Sequence, residues 1–356
     1  MRAKLPDSVR PTTDMAREAE LAGGDALTSV FFGGGTPSLM PPALVAALLA
    51  EAERLWGFAQ GIEITLEANP SSVEANKFAD LAQAGINRVS LGLQALDDAT
   101  LRFLGRLHNS AEGLAALDVA QRHFARVSFD LIYARPDQSA ADWQVELTRA
   151  LSFGTGHLSL YQLTIEPGTR FETMVRQGQF TPLDEDMAAD LFALTRELTN
   201  AAGLPAYEVS NHARHGEESR HNLAYWRYDD TCGVGPGAHG RRGKMATVRH
   251  RKPENWLEAV ARQGDGIAEA RLLGAREQAA EAMLMGLRLA EGIDLPALAR
   301  RFGLAESALC DPDKLSFYAS QGLTWSEGSR IGVAPHGMVL LDALLGELVP
   351  AALVAA

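Results

Sequence analysis

Phe31-Phe32-Gly33-Gly34-Gly35-Thr36-Pro37-Ser38 is the stretch on which the fold turns. The apolar run ending at Phe32 reads as a strand, and three glycines directly behind it remove every Cβ from the turn that follows. Backbone N–H groups can then approach a ligand closely. Glycine clusters also serve simply as punctuation between elements. The surrounding pattern decides between the two readings.

On the C-terminal side, short runs rich in Val, Ile, Leu and Phe recur at 62–66, 89–93, 127–132 and 158–163, joining 28–32 as strands. Amphipathic stretches at 42–56, 73–84, 97–105, 112–124, 140–153 and 184–202 alternate with them, several opening on Ser, Asp or Pro. Gly85, Gly154 and Gly203 stand at the expected helix stops. The order is that of a parallel α/β protein, either a partial barrel or an open sheet. In barrels the chemistry gathers at the C-terminal ends of the strands. Glu67, Gln94 and Asp130 fall at or near such ends. A carboxylate there suits paired ribose hydroxyls, and an amide both donates and accepts. Ordinary loop polarity is the competing account of each one singly.

The 356 residues carry a net charge of −12, which disfavours nucleic acid and anionic membrane, because phosphate affinity rests on Lys and Arg. No apolar run reaches the ~18 residues of a membrane span, and the N-terminus lacks a signal-like apolar core. A cytoplasmic protein without stable membrane insertion is expected. Cys232 and Cys310 are the two cysteines, too few for a disulfide framework and consistent with a reducing compartment.

Seven stretches in order, FFGGGTPS (31–38), ITLEANP (64–70), GINRVSLGLQ (85–94), LGRLH (104–108), FDLIYARPDQ (129–138), HLSLYQLTIEP (157–167) and HNLAYW (221–226), resemble the HemN-like group of radical S-adenosylmethionine (SAM) proteins. Within it they resemble the HemW heme chaperones. The resemblance implies a partial (β/α)6 radical SAM barrel over 1–205, a connecting segment over 206–274, and a smaller helical, winged-helix-like domain over 275–356. It implies that Gly34, Gly35 and Thr36 meet the methionine part of SAM, that Glu67 holds the ribose, and that Gln94, Arg106, Asp130 and Thr164 complete the contacts. Arg106 suits a carboxylate through two parallel donors. Its alternative is a helix-end arginine beside Gly105.

The group also places a CxxxCxxC loop for a [4Fe–4S] cluster after the first barrel strand. This sequence contains no such triad, so the cluster's ligands and the first strand are expected to lie outside it, through a late start site or a truncation, with a genuine cluster-free relative as the alternative. Strand 28–32 would then present an unpaired edge. Cys232 reads as a small buried residue and Cys310 as a helix-end filler.

His212, His215 and His221 lie close together in sequence, before Tyr225 and Trp226. Imidazole beside aromatic faces suits heme, and the resemblance points to His221 as its contact. A zinc site from the three histidines and a pH-sensitive surface hairpin are the alternatives. The stretch itself reads as loop. Arg241, Arg242, Lys244, Arg249, Arg251 and Lys252 form a basic island, read as a solvated hairpin. Residues 275–356 hold six Lys or Arg against ten Asp or Glu, which argues for a lid or docking surface over DNA binding. The resemblance implies a heme chaperone that passes heme to acceptor proteins, respiratory ones among them. The alternative it leaves is an oxygen-independent coproporphyrinogen III oxidase, a radical SAM oxidoreductase.

Overall fold

The structure, a computed structural model, describes residues 11–354. Six strands, β1 (Leu27–Phe32), β2 (Phe58–Ala68), β3 (Arg88–Gln94), β4 (Arg126–Tyr133), β5 (His157–Gln162) and β6 (Asn211–Ala213), pair in sequential order. β2 to β5 run parallel, and the sheet curls into a half-barrel. β1 is its edge among the described residues. β6 pairs antiparallel with β5 and was not visible in the periodicity, being three residues long.

Side-chain alternation explains how this sheet positions a site. Val89, Leu91 and Leu93 of β3, Val127, Phe129 and Leu131 of β4, and Leu158 and Leu160 of β5 are buried on one face. Helices supply its cover with buried Phe78, Leu81, Leu117, Trp143 and Leu147. On the opposite face the register brings Glu67, Ser90, Ser128 and His157 into one row, with Gly92, Gln94 and Asp130 on the same face. A sheet that buried both faces in protein core would not carry such residues on one of them.

Local capping fixes the helices between strands. Asn109 with Glu112, and Ser139 with Asp142, form reciprocal capping boxes at helices Ser110–His123 and Ala140–Leu151. The helix expected over 73–84 is broken into Ser72–Ala75 and Phe78–Gln83. Glu74, in the first piece, is buried and accepts from Ser38 Oγ and from the Asn69 N–H at 2.7 Å. These bonds hold that single turn against the segment after the glycine run.

The chain divides into two compact units. One comprises Phe31–Pro42 and Ile64–Ser219; the other comprises the chain up to Val30, Ala43–Glu63 and the chain from Arg220. In the second unit, β7 (His239–Arg242), β8 (Met245–Arg249) and β9 (Ile267–Leu272) form an antiparallel sheet. The basic island lies here; Lys244, Arg251 and Lys252 are exposed as the reading of a solvated hairpin expects, whereas the structure corrects it for Arg241, Arg242 and Arg249. Arg249 is fully buried, its Nε 2.8 Å from Asp14 Oδ2 and its Nη2 2.8 Å from Glu18 Oε2, on helix Pro11–Ala22. Arg242 Nε reaches Glu18 Oε1 at 2.6 Å, and the Arg241 guanidinium lies 3.3 Å above the Tyr228 ring. The Trp256 indole N–H and the Gly266 N–H, each at 3.0 Å, and the Gly235 N–H at 3.2 Å also donate to Asp14. Asp14 and Glu18 stand one turn apart on one helix face, so both meet the same strand pair.

The C-terminal part packs helices Ala275–Gly286, Leu295–Phe302, Pro312–Ser320 and Leu341–Leu348 with a small antiparallel sheet of β10 (Ile293–Asp294), β11 (Thr324–Glu327) and β12 (Arg330–Val333). No helix among the described residues is long and apolar enough to cross a membrane.

Candidate functional site

At the C-terminal end of β1 the chain turns through Gly34 and Gly35 at φ +76° and +62°, a left-handed path that disfavours any side chain. The Gly34 N–H donates to Glu67 Oε2 at 3.2 Å, which ties the turn to the end of β2. A Cβ on Gly33 would meet the Phe31 ring at 2.5 Å and Glu67 Oε2 at 3.3 Å. Thr36 then leads into a 3-10 turn, Pro37–Leu39, whose buried Ser38 is bound by Glu74 and whose Leu39 carbonyl accepts from Lys77 Nζ at 3.0 Å. The glycine turn is therefore held from beneath by a second layer of hydrogen bonds.

Opposite this turn a relay of three side chains crosses the strand ends. Gln94 closes β3 in a left-handed conformation, φ +68°, where the β3 to β4 register shifts. Its Nε2 donates to Asp130 Oδ2 at 2.5 Å, and its Oε1 accepts from Arg106 Nη2 at 2.8 Å. Arg106 follows helix Asp98–Phe103 and the positive-φ Gly105, which stops the helix and redirects the chain. Its second account, as a helix-end arginine, thus describes its backbone while its side chain points into the cleft. Gly92 lies directly beneath the relay, where a Cβ would come into ordinary contact with Gln94 Nε2 at 3.7 Å and Asp130 Oδ1 at 4.0 Å.

Asp130 is the electrostatic centre. Its Oδ1 is shielded from solvent and has no hydrogen-bond partner. Burial pushes its carboxyl up to about 7, against the pull of Arg106 and of backbone N–H groups at Gln94 and Asp130, with the Glu67 charge adding to the rise. A shielded acceptor with an open position, beside a guanidinium and a glycine-lined turn, is arranged for a ligand carrying both charge signs.

Gly35, Thr36, Glu67, Gln94, Arg106 and Asp130 all line this one cleft, and Gly34 supports it through Glu67. Thr164 does not; it is exposed beyond the end of β5. Asn69, Ser90 and Gly92 line the cleft as well and were not singled out from the sequence. The strict alternation Arg88-Val89-Ser90-Leu91-Gly92-Leu93-Gln94 carried the signal for the last two.

The three histidines do not gather. His212 is buried in β6, where desolvation and then the Arg196 charge lower it to about 3. His215 is exposed, 3.8 Å from Glu218. His221 lies on helix Arg220–Trp226, which replaces the loop expected there. Glu63 accepts the His221 N–H at 3.2 Å, and Arg220 donates to the Gly61 carbonyl. These contacts tie the short helix to the end of β2. Tyr225 is exposed on it, edge-on to Trp226 at 5.5 Å. Among the described residues no group of three or more His, Cys, Asp or Glu is placed to hold a metal.

The sequence profile of the Radical SAM superfamily matches residues 2–148, and that of the HemN C-terminal domain matches residues 273–340. The chain is 37% identical over 348 residues to the mitochondrial radical S-adenosyl methionine domain-containing protein 1 of Mus musculus, covering 93% of this chain and 77% of that protein. It is 34% identical over 325 residues to the heme chaperone HemW of Haemophilus influenzae, covering 90% and 82% respectively. The chain belongs to the HemW-like radical SAM family. Its fold agrees with the coproporphyrinogen III oxidase HemN of Escherichia coli, a radical SAM enzyme, at a TM-score of 0.77 and 19% identity, over 94% of this chain and 81% of that one.

Membership in the HemW-like family implies SAM and a [4Fe–4S] cluster. The cleft fits SAM, through the orphaned Asp130 oxygen and the positive-φ turn at Gly34 and Gly35. The cysteines of this chain do not fit the cluster. Burial raises Cys232 to about 12 and Cys310 to about 11, with nearby carboxylates adding to both, whereas an iron ligand must be a thiolate. Cys232 packs against the apolar cluster of Met15, Ala52 and Trp56, and Cys310 is buried at the end of helix Glu306–Leu309.

Proposed function

We propose that this protein is a heme chaperone of the HemW type, which binds heme and passes it to acceptor proteins, and that the half-barrel cleft binds SAM. The observation that carries the cofactor assignment is the convergence of Arg106, Gln94 and Asp130 opposite the Gly34–Gly35 turn. In this reading Gly34, Gly35 and Thr36 receive the methionine chain, Glu67 the ribose hydroxyls, Arg106 the carboxylate and Asp130 the ammonium. Bound SAM supplies a sulfonium cation. Gln94, with both ends of its amide engaged, serves to hold Arg106 and Asp130 at a fixed spacing. No radical step is assigned, because these cysteines offer no cluster ligands.

The heme reading rests on helix Arg220–Trp226, which presents His221 and the exposed Tyr225 one turn apart. His221 is the proposed heme contact. The naming of bacterial relatives as heme chaperones supports the same assignment. Cytoplasmic residence and respiratory acceptors belong to this proposal.

Heme titration followed by absorbance tests the chaperone reading. A shifted Soret band in wild type that weakens in His221→Ala supports it, and an unchanged wild-type spectrum refutes it. Calorimetric titration with SAM tests the cleft separately, and absence of binding at millimolar ligand removes that assignment alone.

A further inference from the structure

Helices that end in a left-handed residue usually carry glycine there, sometimes asparagine, because a larger side chain strains that conformation. Helix Arg220–Trp226 ends this way on a tyrosine. The Asp229 N–H donates to the Ala224 carbonyl at 2.9 Å and the Tyr228 N–H to the Tyr225 carbonyl at 3.1 Å, with Tyr228 at φ +61°. These two bonds make a Schellman closure, and Tyr228 stands at its glycine position. A strained residue persists only where its surroundings fix it, so the side chain must account for the choice.

The Tyr228 ring is buried, and its contacts lead away from the helix into the C-terminal part of the chain. Its hydroxyl donates to Glu281 of helix Ala275–Gly286; burial, and then that carboxylate, raise the phenol above its ordinary value and keep it a donor. Arg301, in the last turn of helix Leu295–Phe302, donates to the Tyr228 carbonyl at 2.7 Å and holds its guanidinium 5.5 Å from the ring centre. Beside it, Arg227 pairs with Glu291 through two donors, each at 2.8 Å. At the other end, Glu63 and Gly61 tie the helix to β2. Seven residues are too few for a helix to hold its shape alone in water, so what grips its two ends sets its orientation.

We propose that Tyr228 is a positioning residue, which transmits the placement of residues 275–302 to helix Arg220–Trp226 and so fixes the direction in which His221 and Tyr225 meet heme. The inference rests on the heme reading of that helix. Tyr228 is only 1% exposed, too deeply buried to touch a ligand, so its effect on heme runs through the helix. The C-terminal part of the chain thereby takes a share in heme capture without needing a heme contact of its own.

Heme titration at the Soret band, together with amide hydrogen exchange of the heme-free protein, tests this. Asparagine tolerates the left-handed closure, so Tyr228→Asn keeps the cap while removing the ring and its bonds. In that variant the amides of residues 222–229 exchange about tenfold faster, those of helix Ser110–His123 exchange as in wild type, and heme affinity falls about tenfold with SAM affinity unchanged. Tyr228→Phe keeps the ring and loses one hydrogen bond, so heme affinity falls about threefold; it carries the test should the asparagine variant fold poorly. In a His221→Ala background neither substitution weakens heme binding further, because the effect runs through that residue. A wild type without a Soret shift removes the heme reading and this role with it. A wild type that binds heme through His221, with both Tyr228 variants binding as tightly, overturns the positioning role and leaves the heme reading intact. Unaltered exchange across the helix in a folded variant, or losses that add in full to those of His221→Ala, also overturns it.

Discussion

Two clusters of Arg, Asp and Glu in this molecule are built from the same side chains and end in opposite states. Around Arg249, two carboxylates and two guanidiniums meet with almost nothing left over: Asp14 also takes the Trp256 indole and two backbone N–H groups, and one Arg249 nitrogen is without a partner. In the cleft, Asp130 keeps a shielded oxygen with no donor, and the hydrogen bond that Arg106 makes goes to a neutral amide. The first arrangement holds helix Pro11–Ala22 against β7 and β8. The second holds a place for a ligand. Buried charge that is mutually satisfied contributes to holding a fold, whereas buried charge left open is the physical mark of a binding site.

The largest expected effect breaks the closed cluster. Arg249→Met leaves Asp14 and Glu18 buried without their main cation, at a cost of about 3–5 kcal/mol. Urea unfolding followed by circular dichroism measures it. A loss below about 1 kcal/mol would show that the network is an ornament of packing and would erase the contrast with the cleft.

Arg106→Ala is the mirror experiment. Removing a charged donor from an open site weakens SAM binding by about 2 kcal/mol, roughly thirtyfold, and leaves the unfolding free energy within about 0.5 kcal/mol of wild type. A stability loss of the size expected at Arg249 would place Arg106 in the structural class.

Asp130 sharpens the comparison through pH. Its folded value of about 7 lies above the ordinary 3.8, so the folded state holds a proton that the unfolded chain releases. The associated stability is fully present below about pH 4 and is lost as pH rises through about 7. A ligand ammonium prefers the ionised carboxylate, so SAM affinity runs the other way. It rises about tenfold from pH 6 to pH 8, on the order of 1.4 kcal/mol, and is flat in Asp130→Asn. Calorimetry at three pH values decides it, and a wild-type affinity that does not change with pH removes Asp130 from the ligand's charge.

How much of this was legible depended on sequence distance. The order of strands, the glycine turn and the positions of Glu67, Gln94 and Asp130 could be read locally, because each polar residue stands at or near the end of a short apolar run; Arg106 came from the family resemblance, its local pattern being that of a helix-end arginine. Asp14 and Glu18 gave no sign of partners 235 and 231 residues away, so the arginines beside them read as solvated. Glu74 looked like any first-turn acid, though it is the buried acceptor beneath the glycine turn. Helix Arg220–Trp226 read as loop because part of its support comes from Glu63 and Gly61, more than 150 residues away in sequence. Local pattern reports backbone state and exposure; it does not report which distant charge completes a pair.

Gln94 gives the smallest effect and the finest test, because it belongs to both sides of the comparison. It joins Arg106 to Asp130, yet it sits at φ +68°, a conformation that costs a side-chain-bearing residue about 1 kcal/mol. Gln94→Ala and Gln94→Gly lose the same two hydrogen bonds, so both weaken SAM binding to a similar degree by releasing the guanidinium and carboxylate from their fixed spacing. They differ in the backbone: the glycine variant relieves the strain and is about 1 kcal/mol more stable than the alanine variant. Equal affinity loss with unequal stability is the signature of a residue held in strain to arrange a site. If the two variants are equally stable, the left-handed turn at the end of β3 costs nothing, and the relay is no more strained than the closed cluster around Arg249.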